Sequence, residues 1–212
     1  MKKKRQILLL GLVLAAGLVL TACNPIEDKS QSASFLTVLT VQGVDSSGNT
    51  TDYLNSDVQK INTTTGLTTV AADSAVALLK VSSLDPNPIG GVSQYNDVTL
   101  DRYIVSYRQP NGANREGVDV PYSFEATVTR TIPVNSQDSL GFIVVRDGAK
   151  LESPLAQLAT SGDVLQCTAK IDFYGHDQAN KKVTATGYLT IFFANYADAA
   201  AGAAAMTGFV LR

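Results

Sequence analysis

The chain has 212 residues, 45% hydrophobic and 17% charged, with 17 Lys plus Arg against 19 Asp plus Glu and a formal net charge of −2. With its one basic cluster confined to the first few residues, it lacks the phosphate-neutralising charge that drives nucleic-acid binding, so no nucleic-acid partner is expected. Two cysteines and a single histidine exclude a disulfide framework and a conventional His/Cys zinc site.

The first element is an address. Lys2, Lys3, Lys4 and Arg5 form a charged n-region, Ile7 to Leu20 an apolar h-region, and the small residues Thr21 and Ala22 precede Cys23. This layout reads as a bacterial secretory signal. The run Leu20-Thr21-Ala22-Cys23 resembles the lipobox of bacterial lipoproteins. That resemblance implies cleavage between Ala22 and Cys23, a diacylglyceryl thioether on the Cys23 sulfur, and a palmitate-type chain on the new amine. A transmembrane helix is the competing reading, but a span takes about 20 apolar residues and Asn24-Pro25 stops this run short. Two or three acyl chains, each contributing about 0.8 kcal/mol per buried methylene, hold a protein at a bilayer. The 190 residues from Cys23 onward carry 13 basic and 19 acidic side chains, net −6, so the grip on the membrane is expected to be covalent rather than electrostatic. Asn24 occupies the place where an aspartate favours inner-membrane retention in enteric-type sorting. That likeness points to the outer membrane of the cell envelope without choosing a leaflet.

Residues 23–33 are polar and aperiodic after the cysteine and read as a lipidated tether. Extended, the ten residues from Asn24 to Ala33 reach roughly 35 Å. From Ser34 the pattern is β. Phe35 to Val44 is rich in Val, Leu and Thr and stops at Asp45-Ser46-Ser47-Gly48-Asn49. Ala75 to Val81 is an apolar run closed by Asp85-Pro86-Asn87-Pro88, whose prolines end ladder bonding. Val98 to Arg108 puts Tyr103, Val105 and Tyr107 on one face and ends at the turn signal Pro110-Asn111-Gly112. Tyr122, Phe124, Ala126 and Val128 then alternate with polar residues, and Leu140 to Val145 is nearly all apolar. Ser153 as cap, with Pro154 at the first helical position before Leu155, predicts one short helical turn. Val164 to Phe173 and Val183 to Phe193 form a pair joined by residues 175–180, with His176 in the presumed hairpin loop. The Ala-rich stretch 197–212 reads equally as frayed helix or disorder.

About eight strands at spacings near ten residues, punctuated by Gly, Pro and Asn, predict an antiparallel β-sandwich over 34–196, with a closed barrel as the alternative. Threonines and charges on the second strand face argue against an outer-membrane barrel.

Chemistry-bearing motifs are scarce. His176 next to Asp177 suggests a Ser-His-Asp arrangement, yet no G-x-S-x-G elbow accompanies it. Glu116, Asp119 and Glu125 read as solvated surface charge rather than a glycosidase pair. Asp85-Pro86-Asn87 and the loop from Asn114 to Asp119 offer oxygen ligands without an organising D-x-D-x-D-G run, so no calcium site is assigned. Tyr95, Tyr103, Tyr107, Tyr122 and Tyr174 form either a binding platform or core rings with hydroxyls at the rim. Cys167 shares the apolar face of its strand and reads as a buried thiol. No glycine-rich phosphate loop is present, no cofactor is implied, and no metal ligand set is assigned.

A likeness extends over most of the chain, from Asn55-Ser56-Asp57-Val58 to Asp198. Tyr103 to Tyr107, Gly112 to Tyr122 with Gly117-Val118-Asp119-Val120-Pro121-Tyr122, Lys150-Leu151-Glu152, and Phe173-Tyr174-Gly175-His176-Asp177-Gln178-Ala179-Asn180 together resemble a group of uncharacterised bacterial lipoproteins. The final hairpin is also similar to the closing strands of bacterial immunoglobulin-like modules, with Ala179 where their turn carries glycine, implying a changed turn. The resemblance implies an extracytoplasmic immunoglobulin-like sandwich with no catalytic residues. The expectation is therefore a lipid-anchored binding or structural accessory module with an envelope-protein partner. The turn-rich segment from Pro110 to Pro121, and within it Asn111, Arg115, Glu116 and Asp119, is the expected partner-facing loop. A periplasmic hydrolase built on His176 with nearby carboxylates is the alternative from another class, and a small-ligand carrier with an apolar pocket between sheets is the third.

Overall fold

The computed structural model describes residues 31–62 and 65–196. The segment expected to be a signal, Cys23 and the Ala-rich tail lie outside them. Two sheets, antiparallel except for one parallel strand pair, pack face to face. The first has the order β2-β1-β6-β9, built from β1 (Ser34–Val44), β2 (Thr50–Thr51), β6 (Asp73–Ser83) and β9 (Gln137–Val145). The second has the order β3-β11-β10-β7-β8, built from β3 (Tyr53–Asp57), β7 (Val98–Arg108), β8 (Phe124–Ile132), β10 (Leu165–Asp177) and β11 (Lys182–Ala194). A small ribbon pairs β4 (Lys60–Ile61) with β5 (Thr68–Thr69). Both large sheets keep open edges, so the architecture is a sandwich and not a closed barrel. Strands β1-β6-β9 of one sheet face β11-β10-β7 of the other.

The alternation read from the sequence is the reason for this layering. Cys167, Ala169, Ile171 and Phe173 of β10 and Val183, Leu189, Ile191 and Phe193 of β11 all point inward and are buried. Ala75, Ala77, Leu79 and Val81 of β6 face them from the other sheet. A fully buried aliphatic of this kind contributes about 1.5–3 kcal/mol. The centre is aromatic. Phe142 of β9 lies edge-on to Tyr103 and Phe173, with centroids 5.1 and 5.5 Å apart. Where β11 passes beneath β1, a Cβ on Gly187 would stand 2.5 Å from Val41 Cγ2 and 2.9 Å from Val38 Cγ1. Glycine there lets the sheets close to contact distance.

Five features depart from the sequence expectations. Strand β3 is unanticipated; it runs parallel to β11, with Leu54 opposite Ile191. A short helix α1 (Asp147–Lys150) precedes α2 (Leu155–Ser161). The expected helical turn corresponds to α2, but Ser153 does not cap it: Pro154 takes the N-cap position with no side-chain hydrogen bond. Tyr122 lies before β8 rather than in it. Finally, His176 is not in a hairpin loop. Strand β10 continues to Asp177, and His176 pairs in register with Thr99 and Lys182. The turn that follows places Asn180, not Ala179, at positive φ, so the alanine is accommodated without strain.

Candidate functional site

Strand directions sort the loops into two ends. Ser34 of β1 sits opposite Ser83 of β6, and the β6–β7 loop, the β8–β9 turn and the β10–β11 turn close the same end. There the first residues of the folded unit are pinned. Ser32 Oγ donates to Asp177 Oδ2 at 2.7 Å, and Ser34 Oγ donates to the Asn96 carbonyl at 2.7 Å. The Leu84 N–H donates to the Ala33 carbonyl at 2.8 Å. Asp177 is buried and its other oxygen accepts the Ala179 and Lys181 N–H groups at 2.9 and 2.8 Å. One carboxylate thus holds both the final hairpin turn and the point where the chain joins the fold.

The opposite end carries the β7–β8 loop, residues 109–123, in which Asn111, Arg115, Glu116 and Asp119 lie. Arg115 forks onto Asp119, with Nε 2.8 Å from Oδ2 and a terminal nitrogen 3.0 Å from Oδ1. The Arg115 guanidinium and backbone N–H hold the Asp119 carboxyl below the usual carboxylate range. Asn111 Oδ1 accepts the Ala113 N–H at 2.9 Å, and Glu116 Oε1 accepts the Ser123 N–H at 3.3 Å. Gly117 has φ +72°, and a Cβ there would lie 2.3 Å from the Tyr122 hydroxyl. Only glycine serves both demands. Val120 is fully buried beneath the loop. The four named residues therefore belong to one internally bonded loop. Three of them spend their side-chain oxygens holding its backbone, and Arg115 remains 75% exposed.

Elsewhere, His176 Nδ1 lies 3.0 Å from Asp101 Oδ2. Among the described residues no serine or cysteine hydrogen-bonds its other ring nitrogen, so the contact joins two surface side chains and completes no triad. Tyr103 and Tyr107 are core rings, whereas Tyr95 and Tyr122 are exposed. Arg102 stacks over Tyr174, 4.5 Å from the ring centroid, while bonding Glu125 at 2.9 Å. Asp85 Oδ1 accepts the Asn87 N–H at 2.9 Å, a local turn bond. Among the described residues no group of three or more His, Cys, Asp or Glu side chains could hold a metal ion. A cavity of about 340 Å³ lies at the end where Ser32 and Ser34 are pinned, lined by Gln94, Tyr95, Asp97 and Gln178. Its polar lining differs from the apolar pocket between sheets that a small-ligand carrier needs.

One buried polar cluster escaped the sequence reading. Lys150 of α1 is almost wholly buried, and its Nζ lies 2.8 Å from Asp73 Oδ2 and 2.8 Å from the Asp57 carbonyl. Ser56 Oγ donates to the same Asp73 oxygen at 2.6 Å. Lys150-Leu151-Glu152 looks in sequence like ordinary surface polarity, because nothing local announces that a lysine will turn inward. Among the described residues no helix is long and apolar enough to cross a membrane. Compared with known proteins, the chain matches no protein-family model and no curated sequence.

Proposed function

We propose that the chain is a lipoprotein of the bacterial cell envelope, anchored by acyl chains on Cys23 and acting as a non-enzymatic binding or structural accessory module. The single observation carrying this reading is Cys23 itself, closing an apolar run that follows four basic residues. The resemblance to bacterial lipoproteins and the Asn24 position favour the outer membrane. The distal loop is the partner surface. Its internal bonds cut the ordering cost of association, and it presents Arg115, Val118 and Tyr122 to solvent.

Intact-mass measurement of the membrane-extracted chain tests the anchor: a mature N-terminus at Cys23 bearing diacylglyceryl and acyl groups is expected. Cys23→Ser is expected to leave the uncleaved precursor. A soluble chain with an unmodified thiol overturns the reading. Crosslinking in native membranes tests the partner surface. Charge reversal at Arg115 and Glu116 is expected to remove neighbours captured by the unaltered chain, and an unchanged set counts against the loop. The second reading, a hydrolase using His176 with nearby carboxylates, rests only on the contact between His176 and Asp101. Equal hydrolytic activity in the native chain and His176→Ala removes it.

A further inference from the structure

The end of the sandwich where Ser32 and Ser34 are pinned exposes an apolar loop whose two feet are fixed beside the first residues of the fold. Leu84 bonds Ala33, Asn96 accepts from Ser34, and the Gln178 N–H donates to the Tyr95 carbonyl at 3.2 Å. Between these feet the chain runs Asp85-Pro86-Asn87-Pro88-Ile89-Gly90-Gly91-Val92. The Gly91 N–H donates to the Pro88 carbonyl at 3.0 Å, and Gly90 has φ +94°. This tight turn carries Ile89 at its apex, with a positive-φ glycine directly behind it. Ile89 is fully exposed, and Leu84, Val92 and Tyr95 are exposed around it. Phe35, at the start of β1 and opposite Ser82, is exposed on the same end. No lysine or arginine occurs from Val81 to Asp97.

We propose that this loop rests in the lipid interface of the bilayer that anchors the chain, with Ile89, Val92 and Leu84 entering the headgroup–acyl boundary. The inference rests on acylation of Cys23. The occupant follows from chain length and from the end at which the tether joins. Cys23 and Ser32 are nine residues apart, so the linker reaches at most roughly 30 Å. The chain enters the fold at Ser32 and Ser34, on the same end of the sandwich that displays the apolar turn. Tethering makes loop insertion intramolecular, so a contact too weak to recruit a free domain becomes populated. Without basic residues the attraction is apolar rather than electrostatic. The unpaired backbone of a turn keeps it at interfacial depth, because such groups are not accommodated in hydrocarbon.

The test uses the full lipidated chain in phosphatidylethanolamine–phosphatidylglycerol vesicles, with Ile89→Cys or Val118→Cys carrying an environment-sensitive fluorophore. Cys167 is buried and does not compete for label. A nitroxide on the upper acyl chain is expected to quench position 89 roughly twofold more than position 118 at the distal end. Equal quenching at both positions, or none at position 89 in protein whose intact mass shows the acyl groups, overturns the loop contact and leaves the anchor standing. Shielding of position 89 that depends on protein concentration but not on nitroxide lipid assigns the turn to self-association and also overturns it. A chain found without acyl groups overturns the anchor and the loop contact with it.

Discussion

Tyr107 shows how one side chain ties two sheets together. Its ring is buried in the second sheet, 6.2 Å from the ring of Phe193, and its hydroxyl donates to the Val144 carbonyl of the first sheet at 2.6 Å. Burial pushes the phenol well above its ordinary range, so it stays a donor at every physiological pH. Tyr107→Phe keeps the ring and leaves that carbonyl unsatisfied. The expected cost is about 1–3 kcal/mol, read as a lowered urea midpoint with unchanged slope. Cys167 gives a second check. Fully buried on β10, its thiol is pushed up to about 12 by desolvation. In native protein it is expected to resist alkylation at mildly alkaline pH and to react at once in urea.

Among the elements, α1 depends most on its surroundings. It spans only Asp147–Lys150, too short to persist alone. Lys150 fixes it by reaching Asp73 on β6 and the Asp57 carbonyl at the end of β3. Lys150→Met strands Asp73 beside a dry neighbour and is expected to cost about 3 kcal/mol. Lys150→Met with Asp73→Leu is expected to recover most of that loss, because the uncompensated charge goes with the pair. Denaturation of the two variants and the native chain closes the cycle. Strand β3 illustrates the same dependence from the other side. Tyr-Leu-Asn-Ser-Asp carries little β propensity, and its pairing partner β11 lies far along the chain. Its strand character comes from docking on that edge, with Leu54 and Ser56 buried against it.

For the molecule as a whole, the two ends differ in chemistry. One carries the pinned residues Ser32 and Ser34 and an apolar turn; the other carries a hydrogen-bonded loop with its charged residues engaged. The acidic surface also sets the response to pH. Three partly exposed carboxyls are held below their ordinary value: Asp45 by the Asn49 backbone, Asp119 by Arg115 and Asp138 by Arg130. Because their folded pKa lies below the unfolded one, they stabilise the fold above the ordinary carboxylate range. That contribution is lost as pH falls through the folded values. The urea midpoint is therefore expected to be flat near neutrality and to drop below about pH 4. Replacing the three aspartates by asparagine is expected to shallow that drop modestly, since exposed pairs are screened.

Alternation in β7, β10 and β11 was readable directly, because a strand with one buried face must place apolar residues at every second position. Turn chemistry located most strand ends for the same local reason. Those two patterns pointed to an all-β sandwich over a closed barrel and to a buried Cys167, but left Tyr103 and Tyr107 between core and platform until the fold placed both inside. Pairing across long sequence separation was not readable. The parallel docking of β3, the inward turn of Lys150, the extension of β10 through His176 and the bond from Ser32 to Asp177 all depend on neighbours remote in the chain. Local propensity carries no record of such neighbours; only the folded arrangement brings them within hydrogen-bonding distance, where desolvation makes each polar partner obligatory.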